Sequence, residues 1–559
     1  MNLRPYQVEA VEKTDAAWAD NRALIGIAAT GLGKTVIFAN VIARQTGRTM
    51  VIAHREELIF QAERSIRTIT GIEPDIEMAE MRSAEGQLAG KSPVVISTVQ
   101  TQTSGSNGGR MSRFDPDEFD LLVVDEVHHA TAATYRRMID HYRTNPNIKV
   151  LGVTATPDRA DEEALGQLFD DVAWEYDIRF GISEGWLVPI VQNMVHVEGL
   201  DLSQVRTTAG DLNGADLARI MEYERNLHEI AAPTLDITKD GRKTLVFAAS
   251  LAHAERLTEI LNRHRPDSAR WVHGGTPKLD RRKMLEDYGR RKFQYLVNVG
   301  VATEGFDDPG IEVVVQARPT KSRALYAQMI GRGTRPLPGI VDQQHDGLFV
   351  GQDRHAAIAG SRKPQLEVVD FVGNSGRHKL VTTADVLGGN HSEEVIALAK
   401  EKAATKPRNM MQALDEAEAA LRAGREQALK AEAARRAKLT VQASYRKSVV
   451  NPFDVFGITP LRERGWDKEK QPSRKMLDVL ERQGIATENL TFSQAKQLVG
   501  QVFARWTGHR CSYKQAKILA ARGLATDMTR DEAKAAIDGI AAREGWGRKK
   551  QAGPTQYAY

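Results

Sequence analysis

Cysteine and long apolar runs are what this sequence has least of. Its 559 residues include one cysteine, Cys511. A single thiol excludes a disulfide framework and a cysteine-based zinc cluster, and it fits a reducing compartment. No apolar run reaches the roughly 18–20 residues that a membrane-spanning helix needs. Because structured-looking sequence begins within the first five residues, we also expect no secretory or mitochondrial leader.

Charge is unevenly distributed along the chain. Residues 401–559 hold 30 Lys and Arg against 18 Asp and Glu, a net charge of +12, whereas residues 1–400 hold 47 against 55, a net charge of −8. A basic tail on an acidic body favours a polyanionic partner, most often nucleic acid. The alternative is a charged, solvated helical surface.

Short apolar runs alternate with helix-like stretches in two series. Runs that are apolar throughout are typical of strands buried on both faces of a parallel sheet. The alternation therefore predicts two parallel α/β domains in tandem. The predicted strands are residues 23–28, 49–53, 94–98, 120–125, 149–154, 244–248, 269–273, 295–299, 312–317 and 367–371.

The C-terminal part has a different, mostly helical texture. Residues 473–487 align with residues 512–526 at an offset of 39, which predicts two helical hairpins with Gly484 and Gly523 at left-handed helix ends. The predicted division is a first α/β domain over 1–180, a connector over 181–240, a second α/β domain over 241–390, a charged helical linker or coiled coil over 391–450, and a basic helical domain over 451–559.

A phosphate-binding loop follows the first predicted strand. Residues 28–35 (AATGLGKT) fit the pattern A/G-x-x-x-x-G-K-[ST] at the start of a helix. Glycines allow backbone N–H groups to close on a polyphosphate, the lysine meets the β- and γ-phosphates, and the threonine hydroxyl ligates Mg²⁺. The predicted ATP-binding residues of this loop are Thr30, Gly31, Leu32, Gly33, Lys34 and Thr35, with Thr35 also a magnesium ligand.

Two carboxylates end the buried strand at 120–125. We predict that Asp125 holds Mg²⁺ and that Glu126 orients and deprotonates the attacking water. The neighbouring His128 and His129 lack the H-E-x-x-H spacing of a zinc site.

Taken in order, the motifs over residues 3–375 resemble those of superfamily 2 helicases and translocases. DEVH at 125–128 is a variant of the DExH box, and TATP at 154–157 is similar to the motif that couples hydrolysis to movement. The run at 317–326 that leads into IGRGTR at 330–335 resembles bacterial, phage and mitochondrial translocases that act on branched duplex DNA. The remaining matching segments are RPYQ at 4–7, AHREEL at 53–58, STVQT at 97–101, VATEGFD at 301–307 and QMIGRGTR at 328–335.

The resemblance implies further site residues. Arg4 and Gln7 would bind the adenine, and Gly305 and Asp307 would face the nucleotide. Arg332 and Arg335 would act as arginine fingers in catalysis together with Lys34, Asp125 and Glu126, although Arg335 could instead form a salt bridge of the fold. The implied contacts to the nucleic-acid backbone are His54, Arg55, Thr98 and Thr303.

These features predict an ATP- and Mg²⁺-dependent DNA helicase or translocase acting on duplex or branched DNA in repair, recombination or replication. The alternatives are the motor subunit of a restriction system and an ATP-driven nucleoprotein remodeller that separates no strands. DNA would be bound through its backbone, the tail could dock a protein partner, and no zinc or membrane is expected. The resemblance implies the cytoplasm of a bacterial or phage-infected cell.

Overall fold

The computed structural model describes most of the chain. The described residues are 3–54, 56–78, 91–104, 110–128, 133–155, 163–302, 306–342, 350–376, 378–389, 391–438, 451–461, 463, 465–467 and 470–544.

The first α/β domain is built on a seven-stranded parallel sheet. Its strand order is β3-β4-β2-β5-β6-β1-β7. Every residue of the first strand is buried, as its apolar sequence predicts. The strands are β1 (Ala23–Ala28), β2 (Arg48–Ala53), β3 (Asp75–Glu77), β4 (Val94–Thr98), β5 (Phe119–Asp125), β6 (Lys149–Thr154) and β7 (Asp171–Tyr176).

Helices connect these parallel strands, because a parallel pair needs a crossover connection. The helices are α1 (Pro5–Ala17), α2 (Lys34–Ala43), α3 (Glu56–Thr70), α4 (Val99–Thr103), α5 (Ala133–Tyr142) and α6 (Ile178–Ser183).

A second seven-stranded sheet forms the second α/β domain. Its order is β12-β13-β11-β14-β15-β8-β16, and its strands are parallel except for the antiparallel β16. The strands of this part are β8 (Ile190–Asp201), β9 (Thr207–Thr208), β10 (Asp211–Leu212), β11 (Thr244–Ala248), β12 (Ala269–His273), β13 (Tyr295–Val299), β14 (Val313–Ala317), β15 (Leu366–Asn374) and β16 (Arg408–Asn409), of which β9 and β10 form a separate two-stranded sheet.

The helices of this part lie between and after its strands. They are α7 (Gly214–Met221), α8 (Glu224–Ile237), α9 (Leu251–His264), α10 (Lys278–Gly289), α11 (Arg323–Gly331), α12 (Gly351–Ala359), α13 (Thr383–Leu387) and α14 (Glu393–Ala404).

Part of the predicted connector is a strand of the second sheet. Strand β8 pairs in parallel with β15, so the second domain takes up residues that were assigned to the connector. The strand carries Gln192 and Asn193, whose polar side chains interrupt the apolar pattern. Both are buried because they bond across the sheet to Asp370 and Glu367, contacts that exist only after folding.

The C-terminal region is helical, as predicted. Its helices are α15 (Met410–Lys438), α16 (Pro452–Phe456), α17 (Arg474–Gln483), α18 (Phe492–Thr507), α19 (Tyr513–Ala520) and α20 (Arg530–Glu544). By its internal contacts the chain divides into one unit of residues 1–389 and 396–414 and a second unit of residues 390–395 and 415–559.

The internal repeat appears as two matching helix starts. Ser473 and Ser512 cap α17 and α19 by accepting backbone N–H groups three residues on. Gly484 and Gly523 have φ angles of 78° and 68°, which confirms the predicted left-handed conformation. The arrangement of two parallel-sheet domains followed by a mostly helical region is therefore confirmed.

Candidate ATP and nucleic-acid site

The phosphate loop joins β1 to α2 through two left-handed glycines. Gly31 and Gly33 have φ angles of 92° and 79°, and Gly33 is the N-cap of α2. Glycine adopts this conformation without steric cost. Lys34 and Thr35 therefore lie in the first turn of the helix, where backbone N–H groups and the helix dipole favour an anion.

The predicted adenine segment contacts this loop. The carbonyl of Leu32 accepts hydrogen bonds from the Tyr6 hydroxyl (2.8 Å) and from Gln7 Nε2 (3.2 Å). Gln7 Oε1 accepts the backbone N–H of Arg4 at 3.0 Å. The segment and the phosphate loop thus form one hydrogen-bonded structure.

Trp186 also lies in this region. None of the sequence motifs includes this tryptophan. The Arg4 guanidinium lies 4.8 Å from the centre of the indole, and that of Arg354 lies 3.9 Å from it. Arg4 also pairs with Asp342 at 2.9 Å. Because these partners come from distant parts of the chain, no local pattern could have identified the tryptophan.

The acidic pair at the end of β5 faces the phosphate loop. Lys34 Nζ donates to Glu126 Oε1 at 2.7 Å, and the two side chains are only 12% and 9% exposed. The Glu126 N–H donates to Asp125 Oδ1 at 2.9 Å. Glu126 has a φ of 49°, a left-handed conformation that non-glycine residues rarely adopt and that is concentrated at functional sites.

The last residue of the DEVH box links two motifs. His128 Nδ1 lies 3.0 Å from Thr154 Oγ1 and 3.4 Å from Glu126 Oε2. Thr154 is the last residue of β6 and the first of the TATP motif. His128 is therefore placed to connect the acidic pair with that motif, a role that sequence reasoning had missed.

Residues predicted as arginine fingers lie where the second domain meets the phosphate loop. A Cβ added to Gly331 would lie 2.7 Å from Thr30 Cβ, and one added to Gly31 would lie 2.8 Å from Arg335 Cγ. Arg335 also forms an ion pair with Asp307. Arg332 Nη1 donates to the carbonyl of Phe306 at 2.8 Å.

The predicted nucleic-acid residues lie partly at one sheet edge. His54 follows β2 and Thr98 ends β4, and these adjacent strands pair Ala53 with Thr98. The Thr98 hydroxyl accepts the N–H of Thr101 as the cap of α4, and the His54 ring lies 3.3 Å from the Tyr135 hydroxyl. The predicted site residues Arg55, Thr303 and Gly305 lie outside the described residues.

The donor set fits a magnesium–nucleotide complex. The Lys34–Glu126 bond brings the first turn of α2, which carries Thr35, to the end of β5, which carries Asp125. Hydroxyl and carboxylate oxygens are ligands that Mg²⁺ takes alongside phosphate oxygens. Within the described ranges, no group of three or more His, Cys, Asp or Glu side chains could by itself hold a metal ion.

Two protein-family descriptions match the chain. Residues 1–159 match the family described as type III restriction enzyme, res subunit, and residues 225–336 match the helicase conserved C-terminal domain. In this order the two matched regions indicate a superfamily 2 helicase. Among the described residues, no helix combines the length and apolarity needed to cross a membrane.

Several known proteins are similar to this chain. The "Putative ATP-dependent helicase IRC3" of Saccharomyces cerevisiae is 31% identical over 66% of this chain and 55% of that protein. The type I restriction enzyme EcoAI endonuclease subunit of Escherichia coli is 27% identical over 62% of this chain and 45% of that subunit. This chain thus spans about half the length of these relatives. A solved HsdR fragment from Vibrio vulnificus YJ016 has a TM-score of 0.47 at 19% identity, covering 68% of this chain and 70% of that one.

Proposed function

We propose that this protein is an ATP-dependent DNA helicase or translocase that acts on duplex or branched DNA, such as forks and junctions, in repair, recombination or replication. The observation that carries the proposal is the meeting of Arg335, from the second domain, with Gly31 of the phosphate loop. A hydrolysis site that needs both domains can couple the chemical step to a hinge motion between them.

Each residue of the site has a proposed part. Lys34 and the first turn of α2 bind the phosphates, and Thr35 and Asp125 would hold Mg²⁺, which supplies charge neutralisation when bound. Glu126 orients and deprotonates water. Arg332 and Arg335 stabilise the charge that develops on the transferred phosphoryl group, an effect worth about 10³–10⁵ in rate.

DNA would be bound mainly through its backbone. His54 and Thr98 share one sheet edge, and Arg55 and Thr303 complete the proposed set. The Thr98 hydroxyl caps α4 by accepting the N–H of Thr101, so a contact to a DNA phosphate would compete with this bond within the protein. Backbone contacts carry no base sequence, so binding should be weakly specific and steeply salt-dependent.

The basic C-terminal region is proposed to supply duplex or junction affinity. Its net charge of +12 over residues 401–559 supports this role. The alternative is that the helical linker is a spacer and the hairpins dock a protein partner. The domain boundaries and the cytoplasmic location stay predictions.

The experiment that tests the function compares nucleic-acid cofactors. ATP hydrolysis by the full chain would be measured with duplex, single-stranded, forked and four-way-junction DNA and with RNA. We expect the strongest stimulation by branched or duplex DNA. Stimulation by RNA alone, or by none of these, would contradict the proposal.

A second candidate is the motor subunit of a restriction system, which the similarity to the EcoAI subunit favours. Such a motor moves along duplex DNA without needing to separate its strands. Two assays distinguish the candidates: displacement of the third strand of a triplex, and unwinding of forked DNA. A protein that displaces the third strand but leaves forks intact would support this candidate. Unwinding of forks would favour the helicase.

A further inference from the structure

The segment 306–309, called the motif V segment below, spans the end of VATEGFD (301–307) and the two residues after it, and each of its four residues contacts a different cationic side chain. Arg332 donates to the Phe306 carbonyl and Arg335 pairs with Asp307. The other two contacts come from buried lysines: Lys243 pairs with Asp308, and Lys363 donates to the Pro309 carbonyl at 2.7 Å. Each residue of the segment 306–309 therefore has a hydrogen bond or an ion pair to a cationic side chain.

Lys363 makes one more contact that sets it apart. Its Nζ also donates to the backbone carbonyl of Arg335 at 2.7 Å. The same ammonium thus bonds the motif V segment and the main chain of a proposed arginine finger. Lys363 is 1% exposed and lies just before strand β15, so its own position is fixed by the sheet.

Packing alone gives no reason for a lysine here. Burial disfavours the charged form of an amine and lowers the pKa of Lys363 to about 7. The two carbonyl bonds compensate for removing the side chain from water. A neutral amine still has two N–H groups, so both bonds can persist on either side of that pKa.

The backbone directly before Arg335 is also hydrogen-bonded, to Val188 in the segment between α6 and β8. The N–H of Val188 donates to the carbonyl of Thr334 at 2.8 Å. With Lys363 bonded to the next carbonyl, the successive carbonyls of Thr334 and Arg335 both have hydrogen-bond partners. The Arg335 side chain, 38% exposed, then projects from an anchored backbone toward Gly31.

We propose that Lys363 is a positioning residue, which sets the Arg335 backbone against the motif V segment and so aims the finger at the phosphate loop. This inference rests on the proposed function, because it assigns Arg335 a part in hydrolysis. Misplacing a catalytic group by about 1 Å can cost about 10²-fold in rate. We therefore expect Lys363→Met to lower kcat for DNA-stimulated hydrolysis about 10- to 100-fold, with KM for ATP nearly unchanged.

The test uses the full chain and matched variants. Lys363→Met removes both bonds with little change in shape, and Lys363→Arg keeps N–H donors and should restore part of kcat. Lys239→Met is the control, since Lys239 is 75% exposed and pairs only at the surface with Asp236. Hydrogen exchange of segments 306–310 and 332–338 should rise in Lys363→Met and stay unchanged in the control.

A double-mutant cycle with Arg335→Ala checks the route of the effect. If Lys363 acts through Arg335, then Lys363→Met costs little further kcat once the guanidinium is gone. An equal loss in both backgrounds would overturn the inference, and so would a Lys363→Met protein with unchanged kcat or unchanged exchange. Wild-type protein without any DNA-stimulated hydrolysis would instead overturn the proposed function, and this inference with it.

Discussion

The unit with the two sheets (residues 1–389 and 396–414), called the motor below, and the C-terminal unit (residues 390–395 and 415–559) are stabilised in different ways. In the motor, each of the two sheets contains fully buried strands, such as β1 and β4 in the first and β11 in the second, and the predicted site residues lie where strands end. The C-terminal unit is built from helices, among them most of the long α15 and several shorter helices with side-chain caps at Ser473, Thr491 and Ser512. Strand ends in a parallel sheet converge on one edge, so the motor concentrates chemistry, whereas the helical unit spreads charge over its surface.

Surface composition sharpens this contrast. In the C-terminal unit, Phe503 and Trp506 are 46% and 50% exposed, with ring centres 5.7 Å apart. Stacked bases or an apolar protein partner could cover such a pair. The comparison teaches that the motor can be assigned from its motifs, while the role of the tail must be measured.

The largest expected effect is a complete loss of ATP turnover in the motor while the C-terminal unit still binds DNA. Lys34→Ala should abolish ATP turnover, because the phosphates lose the lysine of the loop, while DNA binding by the basic tail persists. Lys13→Ala, a half-exposed lysine of the same domain, is the control. Hydrolysis and DNA affinity would be measured in parallel. Near-normal turnover by Lys34→Ala would refute the site assignment.

Removing either finger tests the contribution of the second domain. Arg332→Ala and Arg335→Ala should each lower DNA-stimulated kcat by about 10³-fold, with a modest change in nucleotide affinity. A thermal melt must accompany the kinetics, because Arg335 also pairs with Asp307. A lower melting temperature with retained stimulation would make that pair a salt bridge of the fold.

Removing the base of the hydrolysis step should have an effect similar in size to the removal of a finger. Glu126→Gln should leave ATP binding largely intact and lower turnover by about 10²–10⁴-fold, because the amide cannot accept the proton of the attacking water. Glu12→Gln, at an exposed position of α1 in the same domain, is the control. Hydrolysis by Glu126→Gln at the wild-type rate would show that another group is the base.

Shortening the chain tests the other side of the comparison. A protein ending at Val449 should keep basal ATPase activity, lose branched-DNA affinity several-fold and show a flatter salt dependence, because fewer counterions are released. Binding would be titrated across about 50–300 mM salt. Unchanged binding over that range would make the tail a protein-docking region.

The smallest effect concerns a buried carboxyl in the second domain. Asp370 accepts hydrogen bonds from Tyr326 and Gln192, and burial raises its pKa to about 6. The unfolded group titrates near 3.9, so the stability that it contributes is present below that pH and is lost as pH rises through 6. The melting temperature of Asp370→Asn relative to wild type should therefore rise as the pH increases from about 4 to about 6 and level off above that range.

A matched surface variant controls the measurement. Asp236→Asn changes a 78% exposed carboxyl and should follow the wild-type melting temperature across the same pH range. A constant difference between Asp370→Asn and wild type would show that Asp370 stays charged in the folded protein.

Most strands and the core of the site could be predicted from sequence. All ten predicted strands are present, because apolar runs bounded by polar segments form buried strands whatever their partners. The strands β3, β7, β8, β9, β10 and β16 were missed, since they are short or partly polar and depend on neighbours for burial. The phosphate loop and acidic pair were found because each is a short local pattern.

By itself, the sequence determined which residue types stand at the ends of which strands, and so the class of chemistry. Only the tertiary structure decided which of them meet. Three contacts join segments that are far apart in the chain. They are the His128–Thr154 contact, the packing of Arg335 on Gly31, and the two hydrogen bonds that the Lys363 side chain donates to backbone carbonyls. Spacing along a chain encodes local geometry, whereas contacts between distant segments, within one domain or between the two, depend on how strands and sheets pack, which no single segment records.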